Sequence, residues 1–186
     1  AAGWVVDVNQ GLQLVDDFQT NGAWLADAVE FFLYSSSGTL AVNDVRLAIY
    51  NNPPNAGGTE VPGSPGMQTN LCQQIGDEVT NTFTDIYRAA EATPLSSGSR
   101  IQRVRVQFAA PINLFSALLP SGRYWLRFSC RAINGTLAMP PVSTRGFSSP
   151  GNALFVNGGG VVPLSDAGHP QAMPFTFFGI SAAPSA

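Results

Sequence analysis

Few residues in this sequence are suited to catalysis. The one histidine, His169, lies between Gly168 and Pro170 in a turn-like segment, and a serine–histidine–aspartate triad or a histidine-based zinc site would have to use it. Two cysteines are too few to complete a zinc site with it. Lysine is absent, which excludes Schiff-base and P-loop chemistry. We therefore predict that the protein is not an enzyme and has no cofactor.

Carboxylates on neighbouring predicted strands are the best candidates for metal ligands. Oxygen ligands of this kind suit Ca²⁺, which many β-sandwich proteins bind as a structural ion. Their spacing matches no known calcium loop, and the alternative is that they cap turns or pair with arginine. We therefore predict no metal site, and name these carboxylates only as the residues that calcium would use if it bound. The candidates for calcium are Asp16, Asp17, Asp27 and Glu30, with Asp44 at the start of the third strand.

Arginines alternate with apolar residues on three predicted strands, and would line one sheet face if those strands were neighbours. Such a face suits an anionic glycan or a carboxylate-bearing partner, and an aromatic ring beside it suits the apolar face of a sugar. The alternative is solvated arginines paired with local acids. The candidate binding face consists of Arg103, Arg105, Arg123, Trp125 and Arg127. Two further arginines on the three strands are Arg46 and Arg131. The further aromatic candidates are Trp4, Trp24, Tyr34 and Tyr50.

The elements that must position these residues are short β-strands. Apolar and polar residues alternate between clusters of Gly, Pro, Asn and Ser, and helical periodicity is weak throughout. This pattern predicts an all-β fold, a jelly-roll-like antiparallel β-sandwich of about nine strands in one domain spanning 1–186. The predicted strands are 12–18, 24–34, 45–50, 82–90, 100–108, 123–130, 153–156, 161–164 and 175–180.

The same alternation predicts which side chains face the core. A slip of one residue would bury the arginines of the two clearest strands without partners, so the register is well specified. The predicted core residues are Val29, Phe31, Leu33, Leu47, Ile49, Val104, Val106, Phe108, Leu126, Phe128, Phe175 and Phe177.

The surface of this protein must carry little charge. Charged residues make up 11% of the chain, less than half of the usual ~25%. The net charge of −3 argues against a nucleic-acid partner. No apolar run approaches the ~18–20 residues of a membrane span. A surface of Ser, Thr, Asn, Gln and Gly repels neighbouring copies weakly and can be buried against another subunit.

A long segment, 51–81, is punctuated by proline and glycine and is predicted to be a loop that forms an interaction surface. It contains Cys72. In a secreted protein Cys72 and Cys130 would form a disulfide that ties the loop to strand 123–130, and the alternative is two buried thiols. Asn134 begins a glycosylation sequon, which matters only if the host glycosylates asparagine, and a chance occurrence is the alternative.

An ordered series of segments carries a family resemblance. The series includes DDF at 16–18, AVEFFLY at 28–34, VRLAIY at 45–50, LPSGRYWL at 119–126, GNAL at 151–154 and QAMPF at 171–175. The chain thereby resembles secreted bacterial β-sandwich domains found in surface proteins with PEP-CTERM-type sorting anchors. The resemblance implies export and a sandwich but no defined activity. The chain departs from the pattern because it ends in a short tail, 181–186, without an apolar anchor.

The first residues are apolar and lie outside the family-like stretch. Small residues at the start suit a mature end left by signal peptidase, so we expect a secreted or cell-surface protein. Within 1–11, the candidate assembly strand consists of Trp4, Val5, Val6 and Val8. Pairing of this strand with the open sheet edge of a neighbour would build a filament. We therefore predict an extracellular structural or surface-assembly protein that forms a homo-oligomer or polymer. The alternative is a carbohydrate-binding module that uses the arginine and aromatic face to bind a glycan.

Overall fold

The computed structural model describes residues 4–35, 41–87, 100–114, 122–133, 137–139, 151–166 and 168–181. These residues form strands, with two short 3₁₀ turns at Pro54–Ala56 and Leu71–Gln73. Within these ranges no helix has the length and hydropathy needed to cross a membrane. The strands are β1 (Trp4–Val6), β2 (Gln13–Gln19), β3 (Trp24–Ser35), β4 (Val42–Tyr50), β5 (Glu78–Tyr87), β6 (Arg100–Leu114), β7 (Arg123–Ala132), β8 (Leu137–Met139), β9 (Leu154–Asn157), β10 (Gly160–Pro163), β11 (Ser165–Asp166), β12 (His169–Pro170) and β13 (Phe175–Ser181).

Two antiparallel sheets pack against each other. The first sheet has the order β1-β8-β3-β6-β5, and β13 also pairs with β3. The second sheet has the order β10-β9-β2-β7-β4, and β11 and β12 form a separate ribbon. Strands from β2 to β4, and again from β6 to β9, alternate between the sheets along the chain, as they do in a jelly roll. The predicted all-β, jelly-roll-like antiparallel sandwich is confirmed.

Each of the nine predicted strands is present, with shifted ends. β5 begins at Glu78, because its first residues already pair with β6 (Glu78 with Gln107). β6 continues through Pro111 to Leu114, since its last residues pair with the start of β3. The strands that the alternation did not predict are short: β1, β8, β11 and β12 have two or three residues each. A period-two pattern is not detectable over so few residues.

The core lies between the two sheets. The rings of Phe31 on β3 and Phe128 on β7 stack across the interface with centroids 5.2 Å apart. All predicted core residues on β3, β4, β6 and β7 are buried, which confirms the predicted register. Phe175 and Phe177 pack against this core but are only half-buried, because β13 lies at the edge of the first sheet. Their position leaves the core partly open along β13.

The long segment after β4 is a loop only as far as residue 77, and it takes part in the core. Val61 and Leu71 are buried with the core residues of the sheets. Asn70 fixes the loop to β4, since its Oδ1 accepts a 3.3 Å hydrogen bond from the Val45 N–H and its Nδ2 donates a 3.1 Å bond to the Asn43 carbonyl. The loop therefore covers the outer edge of β4 and holds a defined conformation there.

Candidate functional site

The predicted arginine residues divide between two faces on opposite sides of the sandwich. Arg103 and Arg105 lie on β6, on the outer face of the first sheet, where both approach Glu30 (4.0 and 3.1 Å). Arg123 and Arg127 lie on β7, on the outer face of the second sheet. The single arginine-lined face that the sequence predicted therefore does not form, because β6 and β7 belong to different sheets.

Trp125 does not present an open stacking surface. It lies on the outer face of the second sheet but is only 8% exposed. Its neighbours in a small apolar cluster include Val15, Leu154 and Tyr50, and the Arg123 guanidinium lies 5.8 Å from its ring centroid. Trp125, which the sequence placed in the candidate binding face, is therefore not available for stacking on a sugar, since its ring is covered by the side chains around it. Of the other predicted aromatic candidates, Tyr50 lies beside a polar groove on the same outer face.

That groove, which we call the outer groove, is a polar depression of about 400 Å³ on the outer face of the second sheet. Its floor comes from alternate residues of adjacent strands, since Arg46 and Tyr50 on β4 flank Ala48, which pairs with Arg127 on β7. The long loop supplies the opposite wall, where Glu60 forms a backbone bridge with Tyr50. The residues that line the outer groove are Val8, Gln13, Arg46, Tyr50, Glu60, Met67, Gln68, Arg127 and Ser129.

The two arginines of the outer groove differ in how their charge is balanced. Arg46 forms a bidentate pair with Asp44, with Nη2 2.9 Å from Oδ2 and Nε 3.0 Å from Oδ1, and this bond raises the pKa of Arg46. Arg127 donates from Nε to the amide oxygen of Gln13. Among the described residues no carboxylate pairs with Arg127, and its two terminal nitrogens have no hydrogen-bond partner. Arg127 therefore offers its remaining N–H donors to the groove.

Glu60 provides the complementary acceptor. Its carboxylate has no ion-pair or hydrogen-bond partner within the described part of the chain. Gln68 beside it adds an amide, which both donates and accepts. The outer groove thus combines donors on the strand side, acceptors on the loop side and the ring of Tyr50. An arrangement of this kind can bind a neutral ligand that carries many hydroxyl groups.

The predicted calcium ligands do not come together. Asp17 pairs with Arg123 on the outer face of the second sheet, whereas Glu30 pairs with arginines on the first sheet. The carbonyl of Asp27, not its carboxylate, accepts a hydrogen bond from Gln107. Asp16 points inward. In the described ranges no group of three or more His, Cys, Asp or Glu residues is placed to hold a metal ion.

Asp16 is a buried carboxylate in the interior of the sandwich, with only 3% of its surface exposed. Its Oδ2 accepts a 2.6 Å hydrogen bond from the Met173 N–H, and its Oδ1 accepts a 2.9 Å bond from the Asp17 N–H. Burial raises the pKa of Asp16 to about 6, although these bonds act to lower it. Asp16 therefore holds the segment that leads into β13 against β2.

The predicted disulfide is absent from the structure, where both cysteines are free thiols. Cys130 is fully buried on β7. Burial raises its pKa well above the ordinary value, and the nearby Cys72 raises it further. Cys72 lies half-buried in the second 3₁₀ turn, where burial also raises its pKa. The loop is held by core packing and by Asn70 rather than by a covalent link.

The predicted assembly strand is paired within its own chain. Trp4, Val5 and Val6 form β1, which lies antiparallel to β8. Val8 lies outside the strand and lines the outer groove. Trp4 packs on Phe155, and its indole N–H is buried without a partner among the described residues. The pairing that an exchange strand would offer to a neighbour is therefore made inside one molecule.

Three further predictions concern residues near the ends of the described ranges. His169 lies in β12 and pairs in register with Asp166 in the small ribbon, away from the outer groove. Asn134, the sequon residue, lies outside the described residues, as does the tail from 182 to 186.

The loop side of the outer groove was not predicted from the sequence. Glu60, Met67 and Gln68 lie in a segment without periodicity, so no pattern placed them near β4 or β7. The only available signal was that a long loop in a small domain is often functional. Gln13 was not predicted either, because a polar residue is expected at every outward position of an alternating strand and does not by itself indicate a site.

The comparisons with known proteins add no relative. No family model, curated protein or solved structure matches the chain. The resemblance to PEP-CTERM-associated surface domains therefore stays a prediction.

Proposed function

We propose that this protein is a secreted β-sandwich domain that binds a neutral carbohydrate in the outer groove. The observation that carries the proposal is a set of polar groups around Tyr50 that have no partner among the described residues, namely the terminal nitrogens of Arg127 and the carboxylate of Glu60. Sugar hydroxyls donate and accept at once, so a ligand rich in them satisfies both groups. The exposed part of the Tyr50 ring suits the apolar face of a pyranose.

Carbohydrate binding has better support than assembly through the N-terminal strand. Assembly of that kind needs β1 to leave its own molecule, and β1 instead pairs with β8 over three residues. The outer groove needs no rearrangement, because its strand side is part of a sheet and its loop side is anchored by Val61 and Leu71 in the core. A preformed site loses little conformational entropy on binding.

The experiment is a screen of neutral oligosaccharides against the intact chain, followed by calorimetry on the variants Tyr50→Ala, Glu60→Gln and Arg127→Gln. We expect each variant to weaken binding about tenfold or more, since each loses a contact worth roughly 1–3 kcal/mol. Circular dichroism checks that the variants fold.

The matched control is Arg103→Gln, an exposed arginine on the outer face of the other sheet. It should bind like the intact chain. The proposal fails if no neutral glycan binds, or if binding survives Tyr50→Ala and Arg127→Gln unchanged.

A further inference from the structure

The edges of the two sheets are protected to different degrees. A free edge strand exposes N–H and C=O groups that pair readily with another strand, and proteins block such edges with charge, proline, bulges or cover. At β4 the loop provides cover: the Val61 N–H donates a 2.8 Å hydrogen bond to the Ile49 carbonyl, and the Ile49 N–H donates a 2.9 Å bond to Ser64 Oγ. The edge of β4 is therefore unavailable to another strand.

The other outer strands carry protective features of their own. β5 contains Glu78 and Asp85, and its pairing with β6 is irregular between Phe83 and Tyr87. Asp85 sits at the irregularity with φ 61°. β10 has four residues and ends in Pro163, and β1 has three residues. Each of these strands is short, bulged or charged.

β13 lacks charge and proline. Its sequence, FTFFGIS, contains neither a charged residue nor a proline, and it has seven residues. Among the described residues it pairs with β3 alone. Ile180 near its end is 65% exposed. The part that pairs regularly with β3 runs from Phe175 to Phe178, before a bulge at Gly179.

An aromatic cleft opens beside this edge, between β13 and the end of β2. This cleft, which we call the edge cleft, has a volume of about 350 Å³ and a rim of Gln19, Thr20 and Asn21. Its walls include Phe18, Trp24, Phe175 and Phe177, and the rings of Phe18 and Phe177 lie 4.5 Å apart. The inward side chains of β13 thus remain half-exposed where one more strand would cover them.

We propose that β13 pairs antiparallel with β13 of a second copy of this chain, so that two first sheets join into one continuous sheet. A strand added here must place apolar side chains at alternate positions over the edge cleft, and β13 carries them itself at Phe175 and Phe177. The register that satisfies both copies sets Phe175 opposite Phe177 and Thr176 opposite Thr176. The interface is therefore self-complementary and closes into a two-fold dimer rather than a filament.

The charge of the surface fits this partner. The whole chain has 9 basic and 12 acidic residues and a net charge of −3, so two copies repel each other little. Thr176 pairs with Glu30 on the outer face of the first sheet, and Arg105 neutralises that carboxylate at 3.1 Å. The joined edges therefore meet without an unbalanced charge at their centre.

The test uses charges at the centre of the proposed dimer. Side chains directly opposite in an antiparallel pair lie about 4.5–5.5 Å apart, so like charges there repel. We expect the intact chain to sediment as a dimer over a range of concentrations, and Thr176→Lys and Thr176→Glu each to sediment as monomers. An equal mixture of the two variants should restore the dimer, which loss of folding would not explain.

The matched control is Thr80→Lys, which puts the same charge on an exposed threonine of β5 on the same face of the same sheet. This variant should remain dimeric. A monomeric intact chain overturns the proposal, as does a Thr176→Lys variant that dimerises like the intact chain. Monomers that persist in the mixture of Thr176→Lys and Thr176→Glu would also overturn it.

Discussion

The backbone N–H of Met173 donates a 2.6 Å hydrogen bond to the buried carboxylate of Asp16, 157 residues away along the chain. This bond connects β2 of the second sheet to the segment that enters β13 of the first. Asp16 is almost fully buried, so the bond places an ionisable group in the interior of the sandwich. The free energy of unfolding should therefore depend on pH through Asp16.

The first prediction is that Asp16 makes the protein less stable as the pH rises from about 4 to about 6. Its pKa is raised from 3.8 to about 6 in the folded state. The folded protein therefore binds the proton more tightly than the unfolded chain does. The contribution is fully present below pH 3.8 and is lost as the pH rises through 6, and a shift of this size corresponds to about 3 kcal/mol.

Urea unfolding of the intact chain and of Asp16→Asn at several pH values from 4 to 7 measures this effect. The free energy of unfolding of the intact chain, relative to the variant, should fall as the pH rises. Asp7→Asn is the control, because Asp7 also accepts a backbone N–H, from Asn9, but near the surface. A difference between the intact chain and Asp16→Asn that stays constant across this range would contradict the prediction.

The second prediction concerns the core contact between the sheets. Phe128 is fully buried and stacks on Phe31. We expect Phe128→Ala to lower the free energy of unfolding by ~3–5 kcal/mol, since it removes a buried ring and leaves a cavity. The control is Ile75→Ala, because Ile75 is fully exposed, and its effect should stay within about 0.5 kcal/mol. Equal effects of the two substitutions in denaturant titrations would refute the packing described.

The third prediction is that the protein contains two free thiols. Both cysteines are unbonded. Thiol reagents attack the thiolate, and burial raises the pKa of both residues and excludes reagent from Cys130. We expect slow labelling of Cys72 in the native protein and labelling of Cys130 only after unfolding. Peptide mass spectrometry of labelled samples, without reduction, gives the count. An absence of free thiols in the unfolded, unreduced protein would show that a disulfide forms after all.

The strands and their core-facing residues were predictable from the sequence because alternation is a local signal. On β6, the alternation over five residues predicts that Val104, Val106 and Phe108 face the core. Their burial then fixes the register of the strand. The pairing of strands was not predictable in this way. Nothing in the sequence around Arg103 or Arg127 indicates that β6 and β7 lie in different sheets, since that depends on contacts between distant segments.

The candidate site was predictable only on its strand side. Arg127 and Tyr50 were among the candidates, because arginine and tyrosine at outward positions suggest binding. Trp125 was misjudged, since alternation shows which face a side chain lies on but not whether its neighbours cover it. Glu60 was not foreseen, because its place beside Tyr50 depends on how the loop folds back.

The two loop residues in the core, Val61 and Leu71, have a consequence for sequence variation. The span between them is closed at both ends by these buried side chains. Residues 62–70 between them include Met67 and Gln68 of the outer groove. Because lengthening a closed loop costs little free energy, the stretch 65–69, between the anchoring residues Ser64 and Asn70, can gain or exchange residues while the sandwich stays intact. Related chains can therefore diversify the ligands they recognise by changing this span alone, and it is the natural place to graft a new specificity.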